Sequence, residues 1–215
     1  TDCTADIAML LMLGVARRGS EGEFHVRKNE WTGWRPTHMM GTKVTGKTLG
    51  LIGMGRIAQA MAYKSHFGFN MKIIFFDPYF KDEETIKKFN ATKVDSIDEV
   101  LSKGDFVSLH CPSTNETKGL INKKSISKMK KSAYLINTAR GDIVNESDLV
   151  EALKEEKIMG AGLDVYEKEC CYFHEDLSNT FISDDTLARL MSFPNVLITS
   201  HQAFFTRESL TNIAT

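Results

Sequence analysis

The sequence predicts an α/β fold, a doubly wound parallel sheet, and three observations carry that prediction. From Lys47 onward, short apolar runs alternate with helical patterns, the signature of strands joined by crossover helices. A glycine turn, Gly53-Met54-Gly55-Arg56-Ile57-Ala58, lies between one such run and the helix after it. An acidic residue, Asp77, closes the following run about 20 residues beyond the glycines, the spacing of a dinucleotide site. The crossovers are expected to be right-handed.

The elements follow in order. Ala5, Ala8, Met9, Met12, Leu13 and Ala16 recur at helical spacing, and Arg17-Arg18 suits the negative end of that helix. Residues 19–45 are polar and dotted with glycine, and read as a long loop carrying Trp31 and Trp34. Two tryptophans in a loop are expected to bury against a second copy, the competing reading being packing on their own domain. Residues 49–52 form the first strand and residues 57–67 a helix. Residues 72–76 form a strand stopped by Asp77-Pro78. Ser96 with Glu99 has the capping-box arrangement and opens a short helix. Residues 106–109 are a strand ended by Pro112, and residues 125–130 are helical. Residues 133–136 are a strand, and residues 145–156 a helix capped by Asn145. A strand over 159–165, a helix over 184–191 and a strand over 196–199 complete the pattern. The expected organisation is a linking helix over 1–18, a dimerisation loop over 19–46, a dinucleotide-binding core over 47–200 and the start of a returning helix over 201–215.

Composition narrows the partners. The 215 residues are 42% hydrophobic and 26% charged, ordinary for a globular chain whose core needs no metal or disulfide. No metal site is expected. Net charge is −1, so no basic field recruits nucleic acid or an acidic membrane. The four cysteines, Cys3, Cys111, Cys170 and Cys171, form no C-x-x-C pair, and the adjacent two are not expected to bridge. Reduced thiols and a cytoplasmic setting follow. The apolar stretch over residues 7–16 is shorter than the roughly 20 residues a bilayer requires, and it lacks a signal peptide's basic leader.

The glycine turn has a defined physical task. Gly53 permits the tight bend, Gly55 lets the backbone approach a pyrophosphate, and Ala58 lets helix and strand pack closely. The helix N-terminus adds unpaired N–H groups and positive potential, and Arg56 can contribute a charge-assisted bond. A carboxylate at Asp77 accepts from ribose hydroxyls and repels a 2′-phosphate, which favours NAD over NADP. Its bland alternative is a turn cap before Pro78.

Ligands bind beyond the carboxyl ends of such strands, where Arg140, Glu169 and His201 all fall. A guanidinium can grip a carboxylate and polarise the adjacent carbonyl. A histidine can protonate the oxygen that becomes a hydroxyl, and a neighbouring carboxylate favours the protonated ring. Taken singly, each is also an ordinary loop residue. Asp164 is expected to contact the nicotinamide end of the cofactor, and His110, inside an apolar run, to be structural.

Three separated stretches resemble the D-isomer-specific 2-hydroxyacid dehydrogenases. They are Asn137-Thr138-Ala139-Arg140-Gly141, Gly162-Leu163-Asp164-Val165-Tyr166-Glu167-Lys168-Glu169, and His201-Gln202-Ala203-Phe204. The resemblance implies catalytic roles for Arg140, Glu169 and His201, reacting a small 2-keto or D-2-hydroxy acid with NAD. It implies cofactor contacts at Arg56, Ile57, Asp77, Cys111, Pro112, Thr117, Thr138, Ala139 and Asp164. Trp31-Thr32-Gly33-Trp34 is similar to glyoxylate/hydroxypyruvate reductases, whereas Phe173-His174-Glu175-Asp176 is similar to fermentative D-lactate dehydrogenases. Cys170 stands where the family commonly has proline after the second glutamate, and Ser200 where proline precedes the histidine. The related corepressors, which sense dinucleotide and dimerise, are the alternative reading. Formate dehydrogenases would place glutamine at Glu169. The resemblance also implies a substrate domain that lies largely outside this sequence, so that this polypeptide alone is expected to bind NAD and reduce keto acids poorly.

Overall fold

In the computed structural model, residues 1–30, 33, 37–172, 176 and 180–214 are described, the side chains of 213 and 214 excepted. The tryptophan pair Trp31 and Trp34 and the segment Phe173-His174-Glu175 lie outside the described residues. Among those described, seven strands form one sheet: β1 (Thr48–Ile52), β2 (Lys72–Phe76), β3 (Thr92–Lys93), β4 (Phe106–Leu109), β5 (Tyr134–Asn137), β6 (Gly160–Leu163) and β7 (Val196–Ile198). Their order is β3-β2-β1-β4-β5-β6-β7, and every neighbouring pair is parallel. The expected doubly wound sheet is therefore present, with its switch point between β1 and β4.

Helices cover both faces because the central strands are buried on both. Helix α1 (Asp2–Ala16) and α3 (Arg56–Phe69) pack on one face, over Leu49, Leu51, Ile73, Phe75, Phe106 and Ile136. On the other face, α5 (Ile97–Lys103), α6 (Lys123–Ile126), α7 (Glu146–Lys154) and α8 (Asp185–Ser192) enclose Val107, Leu109, Leu135 and Leu163. The apolar stripe of α1, including Ala5, Ala8, Leu11, Met12 and Val15, is spent on the chain's own sheet. It is thus no argument for a second copy.

Several local expectations need correction. Residues 19–27 are not loop: they form α2 (Gly19–Arg27). The glycines and polar residues concealed a helix held by surface ion pairs, Arg18 with Glu21 at 2.6 Å and Arg27 with Glu23. Helix α6 starts earlier than expected, because Asn122 and Ser125 form a reciprocal capping box. The sequence reading passed over α4 (Glu83–Lys88), capped by Asp82, and β3, which has only two residues to declare itself. A last helix, α9 (Arg207–Ala214), follows the loop that carries His201.

Candidate active site

The site lies at the switch point, where Gly53 leaves β1 at φ 90°. A Cβ there would sit 2.8 Å from the His110 carbonyl oxygen and 2.9 Å from the Cys111 nitrogen, so glycine is required by both torsion and space. Gly55, at φ −70°, meets nothing within 4 Å, leaving room beside the turn. No side chain caps the first N–H groups of α3, where Arg56 is exposed and Ile57 half-buried. Asp77 fastens this turn from the end of β2: its Oδ2 accepts from Met54 N–H at 2.8 Å, and its Oδ1 from Tyr79 and Phe80 N–H. A carboxylate has further lone pairs, so these bonds do not exhaust it.

Across the crevice lies a cavity of about 620 Å³ lined by Ile57, Cys111, Pro112, Thr138, Ala139, Arg140, His201 and Phe204, among others. Thr4 and Ser113 also face it, two residues the sequence had not pointed to. Burial pushes the Cys111 thiol up to about 11, with Asp77 adding to the shift, so it is a neutral wall rather than a nucleophile. Burial lowers His110 to about 4; its Nε2 lies 2.9 Å from the Ser108 hydroxyl. That neutral, hydrogen-bonded ring agrees with a structural role.

The predicted trio divides. His201 Nδ1 lies 2.8 Å from Glu169 Oε1, both side chains largely buried, which orients the ring and leaves Nε2 outside the pair. Glu169 Oε2 accepts from Tyr166 N–H at 3.2 Å, closing the turn that carries it. Arg140 lines the same cavity as His201 but makes no bond to either partner; its guanidinium donates to the Ala139 carbonyl at 2.6 Å. Asn137 shapes that loop, accepting from Ala139 N–H and donating to the Arg140 carbonyl.

Two expected cofactor contacts have local partners. The Thr117 hydroxyl donates to the Pro112 carbonyl at 2.6 Å and accepts from Thr114 N–H. Asp164 is fully buried, and its carboxylate accepts from the Thr199 hydroxyl and from Gln202 and Ala203 N–H. The structure gives Asp164 the immediate task of holding the segment that bears His201. Thr138, in contrast, keeps a buried hydroxyl oxygen with no partner among the described residues. An orphaned hydroxyl, an uncapped helix start, open space at Gly55 and spare lone pairs on Asp77 together fit a bound dinucleotide.

Fold and site define a Rossmann-type dinucleotide-binding domain. The match is closer than that class. Residues 9–203 match the model of the D-isomer specific 2-hydroxyacid dehydrogenase NAD-binding domain, and the chain belongs to that family. It is 39% identical over 213 residues to 2-hydroxyacid dehydrogenase A of Aspergillus oryzae, covering 99% of this chain and 59% of the relative. It is 46% identical over 181 residues to a glyoxylate reductase of Thermococcus litoralis, covering 82% of this chain and 54% of the relative. Among solved structures, the NAD-complexed D-isomer specific 2-hydroxyacid dehydrogenase of Lactobacillus delbrueckii superposes with a TM-score of 0.87 at 33% identity. That match covers 98% of this chain and 62% of the other. The pyruvate reductase of Chlamydomonas reinhardtii gives 0.90 at 34% identity, over 99% and 62%. The chain thus spans between 54% and 62% of the length of these relatives. None of these names favours the corepressor alternative.

Proposed function

We propose that the protein transfers a hydride between NAD(H) and a small 2-keto or D-2-hydroxy acid of the lactate, glyoxylate or hydroxypyruvate class. The observation that carries this reading is the His201–Glu169 pair, with His201 and Arg140 opening on the same cavity as the glycine-turn helix. Arg140 would grip the substrate carboxylate and polarise the keto oxygen. His201 would give its proton to that oxygen, and Glu169, on Nδ1, would stabilise the protonated ring. When bound, NADH would supply the hydride, so that a keto acid, that hydride and the proton from His201 would give the hydroxy acid. The glycine turn, Arg56 and Ile57 would hold the pyrophosphate, and Asp77 the adenosine ribose. Cys111, Pro112, Thr117, Thr138, Ala139 and Asp164 would border the nicotinamide half.

The test is an assay of the full-length protein with NADH and NADPH against glyoxylate, hydroxypyruvate, pyruvate and bulkier 2-keto acids. Turnover of a small keto acid with NADH is expected. Failure with every one of them, alongside tight NADH binding, would favour a binding module.

A cytoplasmic homodimer completes the reading. The four cysteines stand outside any disulfide. Phe24 and Val26 on α2 and Met40 beyond it are exposed, a surface that a second copy would cover. Sedimentation at micromolar concentration tests the dimer, and a monomer mass would count against it.

A further inference from the structure

The loop that starts with Arg140 and the turn that ends with Glu169 are built against each other. Gly141 is buried, and a Cβ there would overlap the Tyr166–Glu167 peptide, so the two backbones touch. Five residues on, in the first turn of α7, Glu146 reaches back to the same peptide. Its Oε1 accepts from Glu167 N–H at 2.9 Å, and the residue is only 6% exposed. The turn over 166–169 also bonds to itself, through Glu169 N–H to the Tyr166 carbonyl and Tyr166 N–H to Glu169 Oε2. The Tyr166 and Lys168 side chains both bond Asp184, but Glu146 is the side chain that holds the Glu167 backbone.

We propose that Glu146 is a positioning residue: its buried carboxyl holds the 166–169 turn where Glu169 meets His201, at a fixed distance from Arg140. This role rests on the reading of Glu169 and His201 given above. The surroundings suit a carboxyl that stays neutral. Glu167 on the turn and Asp184 at the start of α8 face it with negative charge, and Lys168 is the nearby cation, itself bonded to Asp184 at 2.9 Å. Glu146, Glu167 and Lys168 line a cavity of about 450 Å³, at whose rim Lys118 is paired with Asp142. Burial, helped by Glu167 and Asp184, pushes Glu146 up to about 8. A neutral carboxyl accepts the Glu167 bond without repelling Asp184.

The experiment compares wild type with Glu146→Gln and Glu146→Leu. Proton–nitrogen NMR of the 215-residue chain reads the hydrogen-bonded Nδ1–H of His201, and NADH titration reads the cofactor site. Full-length protein supplies kcat. Glu146→Leu is expected to lose the His201 signature and at least tenfold in kcat, with the NADH Kd within about twofold of wild type. Glu146→Gln, which keeps the acceptor, is expected to retain both. An intact signature and kcat in Glu146→Leu overturns the proposal, as does a kcat loss matched by the NADH Kd, which marks a general structural role. Should Glu146→Leu not fold, Glu146→Met takes its place, with the same expected losses and the same overturning outcomes. If the full-length protein reduces no keto acid, the reaction assignment fails while the NMR arm still reads the positioning contact.

Discussion

Asp164 holds the backbone that presents His201. Its carbonyl oxygen accepts from His201 N–H at 2.7 Å, while its carboxylate takes three donors from residues 199, 202 and 203. This grip holds His201 at φ 52°, in the left-handed region that few non-glycine residues occupy. The ring that meets Glu169 is thus aimed by a buried carboxylate at the end of β6.

Asp164→Ala should therefore destabilise the chain by about 2–4 kcal/mol, since it strands the buried Ala203 N–H and releases a strained turn. Asp164→Asn should lose less, keeping one acceptor. Urea unfolding measures both. A loss under about 0.5 kcal/mol in the alanine variant would mean the carboxylate does not hold the turn.

The His201–Glu169 pair orients the ring. Glu169 Oε1 lies 2.8 Å from His201 Nδ1, and leucine at 169 removes that partner. In Glu169→Leu, kcat for keto-acid reduction should fall by about 10–100-fold with the NADH Kd within about twofold of wild type. Steady-state kinetics of the full-length variant, paired with NADH titration, check this. An unchanged kcat would separate Glu169 from the reaction.

Much of this architecture was legible because its causes are local. The apolar runs at residues 72–76 and 106–109 match β2 and β4 residue for residue, since each is buried on both faces and bounded by a turn signal. The glycine turn declares itself through torsion and close approach at Gly53. Helix α2 was illegible because ion pairs, not an apolar stripe, mark it. The grip of Asp164 on the His201 segment spans 35 to 39 residues between separate strand ends, and that of Glu146 on Glu167 spans 21. No window of sequence contains both partners. The residue types Arg140, Glu169 and His201 could be picked out, but the supports that aim them arise only when the sheet forms.

The two glycines of the turn should part company under substitution. Gly53→Ala forces a side chain into positive φ against the β4 exit and should cost about 2–3 kcal/mol of stability, with NADH binding lost alongside. Gly55→Ala meets open space at an ordinary φ, so stability should stay within about 0.5 kcal/mol. NADH binding should still weaken, because the methyl occupies the space left for the pyrophosphate. Thermal melts paired with NADH fluorescence titration distinguish the cases, and equal NADH affinity in Gly55→Ala and wild type would move the pyrophosphate elsewhere.

The proposed role of Asp77 in choosing the dinucleotide rests on the lone pairs left after Met54, Tyr79 and Phe80 are served. Asp77→Ser should weaken NADH binding by about tenfold and bring NADPH to within a few-fold of it, as the repulsion of a 2′-phosphate disappears. Direct titration of both nucleotides reads the ratio. A preference for NADH that survives the substitution would place discrimination on another group.

Glu146 links proton binding to folding. Burial raises its carboxyl from 4.5 to about 8, so the folded chain binds a proton that the unfolded chain releases. Its contribution is fully present below pH 4.5 and is lost as pH rises through about 8. Between pH 5 and 8 the wild type should therefore lose stability on the order of 3 kcal/mol from this group alone. Glu146→Gln cannot ionise and should show a flatter profile across that window, with the difference between the two curves growing toward pH 8. Urea midpoints at half-unit steps of pH supply the curves. Parallel curves would mean that Glu146 ionises as freely in the folded chain as in the unfolded one, and that burial beneath the Glu169 turn does not hold its proton.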